Sequence, residues 1–407
     1  MISGHYWPHL SIDSAGRDVR LAGALARAGL TVEVLTPRYA ASWPEELRHR
    51  EIPIHRPVAA ARNQWSIGRY LKYLEAWLTQ HARRFDVLFC TSLREEVIAV
   101  TRSAARRPIR TVLQHSGTAG AADHLAWPSL RYGRRLRASL AEADAIVVSW
   151  ASVQRDLVAL GVPPKRLHRI DIGVSAGAAP VRDPLRKGAD LLKSRLALAA
   201  VNRDLALDRD SLVVLAGGQM NHISGMLTLA EAMTRLIDHW PDLRLWLIGD
   251  GEQRDELHGY LRYHGIRQNV AMPGTFVDFE DLFRVADVVV IPSPADALEE
   301  MLPAAVGAAV PLVGADAADS RAYLSGQEAS VGWFSPGDSA GLQAAIHAAL
   351  VDLPARRAAA QRLRRELLRR NPYDVTIARY KQLFDSLAAA SAQQDAAAAA
   401  WRSPADH

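Results

Sequence analysis

The chain has a single cysteine, Cys90, among 407 residues. One cysteine excludes an intrachain disulfide and a cysteine-rich metal site. Long apolar runs are missing too: none approaches the ~18 residues that cross a bilayer. The amino end lacks the basic, apolar and small-residue pattern of a secretion signal. A cytoplasmic location is therefore the default expectation. Excess charge of one sign is modest, at +5. The arginines gather at residues 131–137 (RYGRRLR) and 356–370 (RRAAAQRLRRELLRR). Each stretch reads either as a solvated helix face or as a contact for an anionic membrane surface or polyanionic acceptor. No aromatic interleaving supports nucleic-acid binding. No Ser-His-Asp, His/Cys metal or P-loop pattern occurs, and His124, His168, His222 and His264 lack ligand spacing.

What is present is a long α/β alternation. Hydrophobic residues make up 49% of the chain and charged ones 23%, which describes a globular protein with room for two domains. Residues 14–28 have helical spacing, with Val19, Leu21, Ala22 and Leu25 inward and Gly29 as cap. TVEVLT at 31–36 alternates like a strand. Helices are predicted at 65–83, 92–106, 127–142 and 152–161, with strands at 85–89, 109–114 and 146–149. The pattern loosens over 176–210, where Gly, Pro and charged residues and then an Ala/Leu-rich helix mark the expected linker. Five further strands follow, at 212–216, 243–248, 270–272, 288–291 and 312–313. Short connections between alternating strands and helices argue a parallel, doubly wound sheet in each half.

The chain is organised around residues 286–314, ADVVVIPSPADALEEMLPAAVGAAVPLVG. Val288 to Ile291 form an apolar run that suits a buried parallel strand. Pro292 and Ser293 end it, and a loop, a helix from about Met301 to Ala309 and a second strand follow. This places a helix start at the carboxyl end of a sheet, where unpaired N–H groups receive anions.

The stretch resembles the donor loop of the GT-B glycosyltransferases of family 4: ADV-x-V-x-PS, a Glu, seven residues, a second Glu, then AMA-x-G-x-PVV. Ala286-Asp287-Val288, Pro292-Ser293 and Pro311 match that frame. Counting back from Pro311, the first Glu falls on Asp296, the second on Ala304, and the Gly before the Pro on Ala309. The resemblance covers roughly residues 4–389. It implies a GT-B fold, two Rossmann-like domains facing each other across a cleft. These are an acceptor-side domain (1–175), the linker (176–210) and a nucleotide-sugar-side domain (211–372). A helix (373–389) crosses back to the first domain, and a low-complexity tail (390–407) is expected to fray.

The resemblance also implies site residues. Gly218, Gln219, Ser224 and Gly225 fall on G-R-L-x-x-x-K-G, with Gln and Ser where the family has the Arg and Lys that neutralise the donor diphosphate. Gly249 and Asp250 lie on the turn that borders the nucleotide. Gly274 and Thr275 lie on the segment lining the base, and Ser293 belongs to the donor loop. Asp296 falls on the acid that holds donor-sugar hydroxyls. Ala304 cannot accept the ribose hydroxyls, and Glu300, one turn earlier, is the candidate substitute. Glu299 and Glu300 add negative charge where a diphosphate is expected. On the acceptor side, His115 matches the family's T-x-H histidine, against the plain alternative of a structural histidine. Gly16 alone stands near the family's paired glycines, which fall on Ile12-Asp13. The first strand is either very short or shortened, with at most Met1 to Ser3 left of it.

Two functions fit these residues. One is metal-independent, retaining transfer of a sugar from a nucleotide-sugar to a glycan, lipid or small-molecule acceptor, with no cofactor. The other is a catalytically silent homologue that binds a sugar, a nucleotide or a partner protein.

Overall fold

The computed structural model describes residues 1–8, 15–106, 109–117, 122–176, 184–208, 210–276, 279–295 and 298–402, with side chains described to 393. The first domain runs α1 (Ala15–Arg27), β1 (Val34–Leu35), β2 (Glu46–His49), β3 (Ile52–His55), α2 (Ile67–His81), β4 (Val87–Cys90) and α3 (Glu96–Ala105). It continues with β5 (Arg110–Gln114), α4 (Asp123–Ala126), α5 (Gly133–Leu140), β6 (Ala145–Val148), α6 (Ala151–Ala159) and β7 (Leu167–Arg169). Strands β4-β5-β6-β7 are parallel neighbours, and β1-β3-β2 form the other flank. Ile2 joins the flanks by bridging Leu35 on one side and Cys90 on the other. The opening strand is thus reduced to one paired residue at the centre of the sheet. The strand order reverses there: from Ile2 the chain goes first to β1 on one side, and later to β4 on the other.

Helix α7 (Pro184–Val201) lies within the stretch expected to be linker. It packs on the second domain, where Ser194 donates to Asp281 at 2.7 Å. A regular helix forms because the Ala/Leu composition favours one. The second domain follows with β8 (Val213–Gly217), α8 (Met226–Ile237), β9 (Arg244–Ile248), α9 (Arg254–Tyr263), β10 (Val270–Gly274), α10 (Glu280–Val285) and β11 (Val288–Ile291). Then come α11 (Leu298–Ala308), β12 (Leu312–Ala315), α12 (Ala318–Tyr323), β13 (Val331–Phe334), α13 (Ser339–Val351) and α14 (Leu353–Arg370). All six strands are parallel, in the order β10-β9-β8-β11-β12-β13. Strands β8 and β11 are buried at every position, as apolar runs covered on both faces must be. Helix α8 buries Met226, Leu229, Ala230, Met233 and Leu236, the stripe that 3.6-residue spacing places on one face.

Helix α15 (Tyr373–Arg402) returns to the first domain. Ile377, Tyr380, Leu383 and Phe384 join Leu21, Leu25, Phe89 and Val112 in one apolar cluster. The Tyr380 hydroxyl donates to Gln114 at 3.1 Å. The tail expected to fray from residue 390 is helical through Arg402, a correction that alanine's helix propensity explains. The return crossing is tied to the outward one. Val174 N–H donates to the Asn371 carbonyl and Tyr373 N–H to the Val174 carbonyl, both at 2.9 Å, and Asn371 Nδ2 reaches the Ile172 carbonyl at 2.8 Å. No helix among the described residues is long and apolar enough to cross a membrane.

Candidate functional site

In the second domain the sheet order reverses between β8 and β11, and such a reversal opens a crevice at the carboxyl ends of the strands. The candidate donor residues meet around it. Gly218 and Gln219 follow β8, Gly249 and Asp250 follow β9, Gly274 and Thr275 end and follow β10, and Ser293 follows β11. Gly225 adopts φ +70° as the residue before α8, and a Cβ there would come 2.5 Å from the Pro292 carbonyl oxygen. Only glycine lets the start of α8 and the end of β11 approach so closely. Gly249 N–H donates to the Gly274 carbonyl at 2.9 Å, joining two of the turns.

Several side chains are committed elsewhere. Ser224 is buried, and its hydroxyl donates its one proton to the Asn221 carbonyl at 2.7 Å. In this arrangement the proton is engaged by the backbone of its own loop. Ser293 Oγ likewise donates to the Ile223 carbonyl at 2.7 Å. Gln219 Oε1 accepts from Asn221 Nδ2 at 3.1 Å. Asp250 is exposed, with Oδ1 accepting from Gly251 N–H. Ala304 lies within α11 and is half-buried. Asp296 and the Ile12-Asp13 positions lie outside the described residues.

Glu300, the candidate ribose acceptor, is paired across the domains in this structure. Helix α11 starts at Leu298, so Glu299 and Glu300 occupy its first turn, and both are buried. They point at the other domain. Glu299 Oε2 accepts from Arg17 Nη1 at 2.6 Å and from Ser116 Oγ at 3.4 Å. Glu299 Oε1 accepts from Trp150 Nε1 at 3.2 Å. Glu300 Oε1 accepts from Arg20 Nη2 at 3.1 Å. Gly16 lies against the same carboxylate: a Cβ there would come 3.2 Å from Glu300 Oε1. Burial pushes the Glu300 carboxyl up, against the opposing pull of Arg20 and Arg17. The expected uncompensated negative charge is thus matched by two guanidinium groups of the first domain.

Arg17 is held in place by its own domain. Its Nη2 donates to the Thr91 carbonyl and its Nη1 to Ser116 Oγ, both at 2.9 Å, and its Nε reaches Asp18 Oδ1 at 3.3 Å. Asp18 is fully buried and accepts from Ser3 Oγ at 2.6 Å and Thr91 Oγ1 at 2.5 Å. Ser3 follows Ile2, Thr91 follows β4, Ser116 follows β5 and Trp150 follows β6. These are the carboxyl ends around the first domain's own reversal point. Two crevices therefore face one another, with Arg17 and Glu299 touching across them. A second contact joins the domains nearby, Ser152 Oγ to Asp319 Oδ2 at 2.6 Å.

His115 follows β5 beside this cluster but is itself 1% exposed. Its Nε2 pairs with His124 Nδ1 at 3.0 Å, and its Nδ1 has no partner among the described residues. Burial pushes its pKa down to about 4, against the pull of Asp123. It is held neutral and turned toward His124, which fits a positioning group better than an exposed catalyst. Among the described residues no three His, Cys, Asp or Glu side chains cluster so as to hold a metal ion. Arg17, Arg20, Ser116 and Trp150 were absent from the residues singled out by motif. One local signal existed: Arg17 and Arg20 are three apart on α1, hence on one face, and Arg17 directly follows Gly16.

Comparison with known proteins agrees with this architecture. Residues 19–173 match the family model of the glycosyl transferase 4-like domain, and residues 211–352 that of the glycosyl transferases group 1. The chain belongs to the GT-B group 1 glycosyltransferases. Two curated relatives from Rhizobium meliloti (strain 1021) are the lipopolysaccharide core biosynthesis glycosyltransferases LpsE and LpsD. LpsE is 29% identical over 167 residues and LpsD 28% over 158. Each match takes in 39% of this chain, and 48% and 45% of the relatives, so it spans about half their length. Among solved structures, sucrose-phosphate synthase from Thermosynechococcus elongatus superposes with a TM-score of 0.71 at 17% identity, covering 96% of this chain and 99% of that one. HepE from Anabaena, in complex with UDP and glucose, gives 0.72 at 16% identity, covering 95% and 99%. At such identities the likeness is one of fold.

Proposed function

We propose that this protein transfers a sugar from a nucleotide-sugar donor to a glycan, lipid or small-molecule acceptor, without a metal and with retention of anomeric configuration. The observation that carries the reading is the pair of strand-order reversals facing each other across one cleft. The turns after β8, β9 and β10 line one side, and the carboxyl ends of β4, β5 and β6 the other. Donor binding falls to the second domain. Gly218, Gly249 and Gly274 bring backbone close to the ligand, with Gln219 and the α11 amino end near the diphosphate. The donor bound to HepE, UDP-glucose, makes a uridine nucleotide the first to try. The lipopolysaccharide assignment of LpsE and LpsD supports a glycan or glycolipid acceptor. An anionic membrane surface fits residues 131–137: Arg131 stacks 4.8 Å over the ring of Trp65, which is 81% exposed.

A panel of UDP-, GDP- and ADP-sugars followed by calorimetry tests this reading, with NMR of any product to read the anomeric centre. Binding of one donor, and product formed equally in EDTA, is the expected result. The silent-homologue reading is favoured by the committed hydroxyl of Ser224. It stands if no donor binds either the wild type or a Gln219→Arg, Ser224→Lys, Ala304→Glu variant that restores the family's charges at those positions.

A further inference from the structure

Glu299 belongs to the second domain, yet its carboxylate is gripped by three donors of the first. Arg17 and Trp150 each bind one oxygen, and the Ser116 hydroxyl shares the oxygen that Arg17 holds. A guanidinium, an indole N–H and a hydroxyl converging on one group is the inventory of an oxyanion site. The donors come from α1 and from the ends of β5 and β6, so the site is a property of the first domain and not of α11. It is also preorganised. Arg17 keeps its place through the Thr91 carbonyl and Asp18, whichever anion it faces. Its side chain is 12% exposed and that of Glu299 7%, so the charges meet largely out of water. Alongside, Arg20 faces Glu300. Two adjacent carboxylates opposite two guanidinium groups reproduce the charge of a phosphate dianion or a diphosphate.

We infer that Arg17, Ser116 and Trp150 form a phosphate cradle on the first domain, that the Glu299 carboxylate now fills it, and that a substrate phosphate takes its place. The last clause rests on the transfer reaction proposed above. The phosphate comes either from the donor diphosphate or from a phosphorylated acceptor, and the chemistry of the cradle is the same for both. Arg17 is then the cation that position 219 lacks, supplied from across the cleft. Glu299 is a built-in competitor that sets how much phosphate is needed to displace it.

The test measures binding of inorganic pyrophosphate, UDP and glucose 6-phosphate by calorimetry, with the Trp150 indole N–H signal followed by NMR and assigned through Trp150→Phe. Glu299→Gln removes the competing charge and should bind at least one of the three about tenfold more tightly than wild type, with the Trp150 signal moving on binding. Such a change corresponds to one charge-assisted hydrogen bond. In that background Arg17→Gln should abolish the gain, Arg17→Lys should restore part of it, and Ser116→Ala should weaken binding several-fold. Thermal melts establish that each variant is folded. Ser116→Ala, which leaves every charge in place, carries the test if Arg17→Gln does not fold. A response to pyrophosphate and UDP assigns the donor, and a response to glucose 6-phosphate alone assigns the acceptor. Tighter pyrophosphate binding with no nucleotide-sugar bound by any form keeps the cradle and removes the transfer reading. If Glu299→Gln binds none of the three more tightly, or if folded Ser116→Ala and Arg17→Lys bind as Glu299→Gln alone does, the cradle is overturned.

Discussion

Ala309 shows what one substitution does at a position built for glycine. It is the first residue past α11, with φ +56°. Its N–H donates to the Val306 carbonyl at 3.0 Å, and Val310 N–H reaches the Ala305 carbonyl at 3.1 Å, the paired closure that ends a helix in the left-handed region. A Cβ in that region costs roughly 1–2 kcal/mol, offset in part by glycine's greater unfolded entropy of about 0.5–1 kcal/mol. Ala309→Gly should therefore stabilise the protein by about 0.5–1 kcal/mol in urea denaturation; a loss of stability would mean that this backbone is not strained. His115 makes a second expectation, about pH. Its folded pKa of about 4 lies below the ordinary 6.5, so the unfolded chain takes up its proton first as pH falls. The stability its neutral form contributes is complete above about pH 6.5 and drains away as pH drops toward 4. The amount is on the order of 3 kcal/mol. Denaturation midpoints measured between pH 7 and 4.5 should fall more steeply in wild type than in His115→Asn. At this scale the sequence placed Ala309 on the family's glycine and His115 beside the cleft. Neither the burial of the imidazole nor the proton commitment of Ser224 has a signature in local pattern, because both partners are set by packing.

Among elements, the strands were the most readable. Val288–Ile291 is a strand because four apolar residues bounded by Asp287 and Pro292 suit only a buried position. Helix α11 begins at Leu298, three residues before the apolar spacing suggested, because Glu299 and Glu300 are drawn into its first turn by arginines of another domain. The predicted strand over 31–36 keeps only Val34–Leu35, which pairs with β3 on one side and meets Ile2 alone on the other. Where α8 meets β11, the fit depends on Gly225. A methyl group there would meet backbone, which cannot swing aside, and would sit at positive φ as well. Strain and overpacking of about 1–3 kcal/mol each put Gly225→Ala at ~2 kcal/mol or more of lost stability. The same change should weaken nucleotide binding, since it pries open the crevice between β8 and β11. A variant that melts and binds as wild type would show that the two elements are less closely apposed.

For the molecule as a whole, the domain pairing is fastened by contacts between residues far apart in the chain. Arg17 and Glu299 are 282 positions apart, a separation at which no periodicity or motif couples them. The fold class was legible because each domain repeats one local rule, strand then helix. The ion pairs between domains follow no such rule. Helix α15 is the other fastening. Burying Ile377, Tyr380, Leu383 and Phe384 is worth about 1.5–3 kcal/mol per side chain. The sum, roughly 6–12 kcal/mol, matches the whole stability of a typical domain. Truncation after Arg370 should therefore leave the first domain unable to fold cooperatively, seen as loss of a two-state thermal transition. A sharp transition in the truncated chain would mean that α15 contributes little.

The lashing of Val174 to Asn371 and Tyr373 has a mechanical consequence. The chain passes between the domains twice, and the two passes are bound side by side like the knuckles of a door hinge. A single rope would let the halves swivel and slide. Two ropes joined along one line leave a swing about that line as the soft motion. Every point in the gap then opens along an arc whose width grows with its distance from the pin. The spacing between Arg17 and Glu299 becomes a gauge of the aperture, and whatever sets that one spacing sets the angle of the whole jaw.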